Sequence, residues 1–202
     1  MKKVIVSTLI WVLFFPVLGI AKVEAPHQVG GFVLGSNMEE YKEFLKMETL
    51  MPLRNSMYIH EVETKSGPGF KNGLVWLGNC AYPGRIIRIK LRYDNPSKKF
   101  YKKLLSKFKK RFGEPSEWRG DPFHIVIAWK WSFVDKDNNT ISMILQHNTR
   151  DEDESIGNSV KLTMWNLIQE ERACFEKKTA ADAKKPKQKK TSPADWDALL
   201  PR

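Results

Sequence analysis

Apolar positions along this chain follow three rhythms, and each predicts a different kind of element. Val4 to Ile20 is nearly continuous, interrupted by Ser7, Thr8, Pro16 and Gly19. A brief strand, Val29 to Leu34, stops at Gly35, and the period then becomes helical. Ser36 and Glu39 form a capping box, Met38, Tyr41, Leu45 and Glu48 share one side with Phe44 beside them, and the helix should end before Pro52. From Met57 the period is two: Tyr58, His60, Val62 and Thr64 face one way, Met57, Ile59, Glu61 and Glu63 the other. Ser66-Gly67-Pro68-Gly69 turns the chain, Phe70 to Cys80 returns, and Tyr82-Pro83-Gly84 reads as a type II turn. A third strand, Arg85 to Tyr93, points Ile87, Ile89, Leu91 and Tyr93 inward and Arg88, Lys90 and Arg92 outward.

The second half repeats this order. Asn95 as N-cap and Pro96 in the first turn open a helix that ends at Gly113, with Pro115 just beyond. Phe100, Tyr101, Leu104, Leu105, Phe108 and Phe112 form its apolar face, and lysines fill the opposite side. Ile125, Ile127, Trp129, Trp131 and Phe133 then alternate with polar or small residues, His124 being placed at the start of this strand. Asp135 to Thr140 turns into Ile141, Met143 and Leu145, and a last strand near Val160 to Leu167 runs into a short helix carrying Cys174. Helix and three strands, twice, predicts an α+β fold: an antiparallel sheet with helices packed on one face, built from a duplicated unit.

The ends of the chain read separately. Lys2 and Lys3 before the apolar run, and small residues at Gly19 and Ala21 after it, form a secretory signal peptide at 1–21, with Ala25 a second cleavage point. The competing reading is an uncleaved anchor, since the run approaches the roughly 17–25 residues that span a bilayer. Cleavage leaves a protein with no membrane span, periplasmic or secreted. One domain is expected over 22–175. Residues 176–191, rich in lysine and alanine with Pro186, read as a disordered basic linker. In 192–202, Ser192, Pro193 and Asp195 can start a short helix with Trp196, Leu199 and Leu200 on one side, a partner-binding peptide.

Cys80 and Cys174 are the two cysteines. In an exported chain an even count predicts pairing, so a Cys80–Cys174 disulfide should pin the last element to the middle of the sheet. The formal charge is +11, of which Lys2 and Lys3 leave with the leader. The remaining basic excess is divided between the tail and the domain. Within the domain, Arg88, Lys90 and Arg92 share a strand face that Lys130 and Lys161 can join across the sheet, and lysines of the second helix add to it. An anionic partner fits: acidic lipid head groups, cell-wall polymers, lipopolysaccharide or an acidic protein surface, but not nucleic acid outside the cytoplasm. The plainer reading is a solvated face partly neutralised by Glu61 and Glu63. Trp129 and Trp131 share the face of Ile127 and read as core.

Phe32-Val33-Leu34-Gly35 followed at once by a capped helix, and Phe112-Gly113-Glu114-Pro115 as a helix exit before strands, resemble the small exported bacterial domains of the BamE and β-lactamase-inhibitor-protein type. The resemblance covers residues 30–170 and carries no site residue with it. It implies a domain that binds another protein and performs no chemistry.

Catalytic patterns are otherwise missing from the sequence. His27, His60, His124 and His147 have no two-ligand helical spacing, and there is no nucleophile elbow or Gly-rich phosphate loop. Asp135, Asp137 and Asn139, and Asp151, Asp153 and Ser155, alternate like calcium ligands but lack the glycine and terminal acid such loops need. No metal or cofactor is expected. The reading is a non-enzymatic envelope binding or accessory protein; the alternative is a small envelope hydrolase or other enzyme whose site lies on the same sheet and uses His60 or His124 with Glu61.

Overall fold

Strand pairing organises this molecule. The computed structural model describes residues 23–148 and 157–183. The leader, the acidic segment 151–154 and the peptide carrying Trp196, Leu199 and Leu200 lie outside the described residues. Two short strands, β1 (Gln28–Val29) and β2 (Phe32–Val33), form a hairpin closed by Gly30 and Gly31. Both glycines have positive φ, 58° and 89°, as a two-residue hairpin turn matched to strand twist requires. A 3-10 helix, Met38–Phe44, follows, then β3 (Leu45–Leu53), β4 (Ser56–Thr64), β5 (Phe70–Gly78), β6 (Ile86–Tyr93), α1 (Lys98–Phe112), β7 (Glu117–Trp118), β8 (Val126–Val134), β9 (Thr140–Asn148), β10 (Gly157–Met164) and α2 (Trp165–Ala183). The main sheet has eight antiparallel strands in the order β3-β4-β5-β6-β10-β9-β8-β7. This is the mixed α+β class that the periodicities predict.

The first expected helix is corrected. Its cap is Asn37, whose side chain accepts the Glu39 N–H while Glu40 returns to the Asn37 N–H, and the helix stops after Phe44. Leu45 turns extended, is buried, and pairs with Thr64 at the start of β3. Leu45 to Leu53 can satisfy a helical or an extended pattern, and pairing with β4 decides between them. Thr49 stabilises the irregular register, donating to the Lys46 carbonyl at 2.7 Å and accepting the Glu63 N–H at 2.9 Å. Pro52 is tolerated because β3 is an edge strand.

α1 begins two residues later than its punctuation suggests. Ser97 is the N-cap, accepting the Phe100 N–H, and Asn95 instead accepts from the Ser97 N–H and hydroxyl. Its end at Gly113 is as expected. The helix packs on one sheet face through Phe108 against Trp131, Phe112 against Phe133, and Tyr101 stacked on His147. Trp131 is buried and donates its indole N–H to the Gly113 carbonyl at 2.9 Å, so it is core. Ile87, Ile89, Leu91, Val62, Met143, Leu145, Val160 and Leu162 complete this core.

The helices do not all lie on one face. α2 starts on the opposite one, where Trp165 donates to the Ser142 hydroxyl at 3.0 Å. Further along α2, the Glu171 carboxylate fills the space that a Cβ on Gly78 would need. Ile59, paired with Gly78, is accordingly buried although it shares the side of Glu61 and Glu63. Cys80 and Cys174 form the expected disulfide, with Cα atoms 5.9 Å apart. α2 runs on to Ala183, so residues 176–183, expected to begin a disordered basic linker, continue the helix. None of the helices among the described residues is long and apolar enough to cross a membrane.

Candidate functional site: a basic hollow on the sheet

The face opposite α1 is set by strand register. In β6, Ile87, Ile89 and Leu91 are buried against the core while Arg88, Lys90 and Arg92 point the other way. β10 pairs with β6 so that Lys161 stands opposite Lys90, Thr163 opposite Arg88 and Ser159 opposite Arg92. The next strands continue the rows, with Ile144 opposite Lys161 and Lys130 opposite Ile144. The five basic residues singled out from sequence therefore do share one face. The lysines of α1 do not join them, since that helix covers the other side.

Within this face lies a hollow of about 360 Å³. Arg88, Arg119, Lys130 and Lys161 supply its cations, Ser142 and Thr163 its hydroxyls, Trp165 one wall, and Ala128 and Ile144 a small apolar floor. Glu117 pairs with Lys130 at 3.2 Å and with Arg119 at 2.9 Å, and these contacts, the Lys130 hydrogen bond foremost, hold its carboxyl below the ordinary carboxylate range. Among the described residues no carboxylate forms an ion pair with Arg88, Lys90 or Lys161. Burial lowers the pKa of Lys161, and the charges of Arg88, Lys90 and Arg119 lower it further. Lys90 is lowered by burial and then by Arg92, and Arg88 by burial. Arg92 stands apart, its Nε donating to Asn72 at 2.6 Å. Glu61 does not neutralise Arg88, because Trp76 stands between them in the row; Glu63 pairs with Lys46 at 2.8 Å.

Arg88 is held on three sides. Its Nε donates to the Thr163 hydroxyl at 3.1 Å, and its guanidinium carbon lies 5.4 Å from the Trp76 ring and 5.9 Å from the Trp165 ring. Cation–π attraction acts at such separations and limits the side chain's freedom. Arg119 is fixed through its backbone, donating to the Ala128 carbonyl at 2.9 Å. The following loop is held by Asp121, whose carboxylate accepts N–H groups of Phe123, Ile125 and Val126; the Val126 bond is the largest cause of its lowered pKa.

Arg119 and Trp165 were not legible as site residues. Trp165 sits in an apolar run that reads as strand, whereas β10 ends at Met164 and α2 begins at Trp165. Arg119 enters only through the pairing of β7 with β8.

The residues considered for hydrolysis are not brought together. His60 and Glu61 are consecutive in β4 and face opposite sides, and His124 is not in a strand but in the loop before β8, at φ 56°. β5, β6, β10 and β9 separate β4 from β8. Among the described residues no three His, Cys, Asp or Glu side chains are grouped to hold a metal. Asp135 instead organises its own turn, accepting from the backbone of Asp137 and Asn139 and from the Asn139 side chain. On the other face, an apolar hollow of about 430 Å³ lies between the β1–β2 hairpin and the end of β4, lined by Phe32, Tyr41, Phe44 and Phe70. No family model, curated protein or solved structure matches the chain.

Proposed function

We propose that this protein is an exported, non-enzymatic binding or accessory protein of the bacterial cell envelope, and that the basic sheet face receives an anionic partner. The observation that carries this reading is the Lys90–Lys161 register pair beside Arg88, three cations without a carboxylate counterpart among the described residues. Like charges directly opposite one another destabilise a sheet, so a fold that keeps them concentrates positive potential at a cost in stability. Export is supported by the leader and by the Cys80–Cys174 disulfide, which persists in oxidising compartments. Periplasmic or secreted placement follows if the leader is cleaved, and inner-membrane anchoring if it is not.

The resemblance to BamE and β-lactamase-inhibitor-protein domains fits a partner-binding role. The duplicated unit is supported by strand order, in which the meander β3 to β6 meets the meander β7 to β10 through their last strands. The C-terminal peptide with Trp196, Leu199 and Leu200 supplies a second attachment in this reading. The test is capture of envelope components at low salt by the native protein and by a variant with Arg88, Lys90 and Lys161 changed to glutamate. The reading expects the variant to lose its partners, and an unchanged partner set refutes it.

A further inference from the structure

We propose that the hollow beside Arg88 is a phosphate subsite, so that the anionic partner of the basic face carries a phosphate ester. This rests on the binding reading above and narrows it to a ligand chemistry. The charge pattern comes first. Of the four cations lining the hollow, Arg119 and Lys130 share Glu117, while Arg88 and Lys161 have no carboxylate partner among the described residues. Four cations against the single Glu117 carboxylate leave a net +3 around the hollow, enough to hold a phosphate monoester, which carries about −1.5 to −2 at neutral pH.

Geometry separates phosphate from a carboxylate. Arg88 spends its Nε on Thr163 and is flanked by Trp76 and Trp165, leaving the two Nη groups as a planar fork. Such a fork binds two oxygens of one anion with little loss of side-chain freedom, because the guanidinium is already placed. A carboxylate gripped by the fork keeps only lone pairs lying in the plane of the guanidinium. A phosphate has further oxygens for Lys161 and for the Ser142 hydroxyl, which also line the hollow. About 360 Å³ accommodates the phosphate and the first atoms of whatever it esterifies, with Trp165, 40% exposed, as an apolar wall for that body.

The test is titration of the mature protein, followed by amide NMR shifts and thermal unfolding at fixed ionic strength, with inorganic phosphate, glycerol 3-phosphate, glucose 1-phosphate and acetate. Phosphate and its esters should bind at least 10-fold more tightly than acetate, with shifts centred on Arg88, Lys161 and Thr163. Arg88→Lys, which keeps the charge but loses the fork, should weaken phosphate at least 10-fold, and Lys161→Met should do the same. Arg54→Lys, in the exposed turn between β3 and β4, should leave phosphate binding unchanged. A glycerol ester preferred over the sugar ester points to a lipid head group as the source, and the reverse to a phosphorylated saccharide. Equal affinity for acetate, or full retention in a folded Arg88→Lys protein, overturns the phosphate subsite. Failure of the binding reading is separately visible, since the triple glutamate variant would then keep every captured envelope partner.

Discussion

Glu171 accepts the backbone N–H of Cys80 at 2.6 Å, three residues before Cys174 closes a disulfide onto that same Cys80. The carboxylate also receives the N–H groups of Asn79 at 3.1 Å, Ala81 at 2.9 Å and Tyr82 at 2.8 Å. Four consecutive amides thus converge on one buried side chain, 1% exposed. The loop after β5 is shaped around α2, and α2 in turn delivers Trp165 to the basic hollow.

Glu171→Gln should therefore destabilise the protein by about 3 kcal/mol, because its amide group presents donors to a ring of donors and leaves buried N–H groups unmatched. Urea unfolding of the oxidised protein measures this. Gly78→Ala should act in the same direction by displacing the carboxylate. A midpoint shift near zero for both variants would show that the amides find other acceptors.

Reduction of the disulfide removes a closure spanning a sequence separation of 94. Loop-entropy reasoning sets the loss at roughly 4–5 kcal/mol as an upper figure. Unfolding curves with and without reductant check it, and the Cys80→Ser, Cys174→Ser double variant should match the reduced protein. Glu171 keeps its contacts to the loop in both, so α2 is expected to remain docked in the folded state.

The sequence is legible where punctuation is local. Gly113 stops α1, Tyr82-Pro83-Gly84 turns the chain before β6, and strict alternation from Ile87 to Tyr93 separates core from basic face. Leu45 to Leu53 defeats this reading, because its apolar spacing suits two conformations and long-range pairing with β4 decides. Trp165 is similar: nothing in Thr163-Met164-Trp165-Asn166 marks where strand becomes helix. Pairing order is the larger gap, since the β6–β10 neighbourhood that sets Lys90 opposite Lys161 is a tertiary fact that periodicity does not carry.

His147 makes stability depend on pH. It is buried, 4% exposed, with Nδ1 2.8 Å from the Asn158 side-chain oxygen. The Asn158 amide nitrogen donates to the Asn95 and Ser97 carbonyls at the start of α1, so its oxygen faces the imidazole and Nδ1 is the donor. Burial lowers the His147 pKa from its ordinary value near 6.5, Lys98 adds to the lowering, and the Asn158 bond opposes it. The unfolded chain therefore takes up the proton first as pH falls. Stability from this residue is complete above pH ~6.5 and declines as pH drops through that value toward the lower folded pKa. Denaturation between pH 7.5 and 5 should show this loss. His147→Gln, which keeps a donor for Asn158 without titrating, should remove that part of the slope; an unaltered slope would assign it to other groups.

Lys90 and Lys161 provide the sharpest separation between a working basic face and an incidental one. Directly opposed cross-strand residues of like charge are destabilising, and pair effects of this kind are worth roughly 0.2–1 kcal/mol. Lys161→Met keeps the apolar length of the side chain and removes one charge from the pair, so it should raise thermal stability at low salt. The gain should shrink as salt screens the repulsion in the parent protein. If the face serves binding, the same variant should bind phosphate esters more weakly while being more stable, the opposition expected when function maintains a strained arrangement. Calorimetry at two ionic strengths beside a phosphate titration tests both halves. A variant that is less stable at low salt would mean that Lys161 supports the sheet through its packed stem, and that the charge pair imposes no strain.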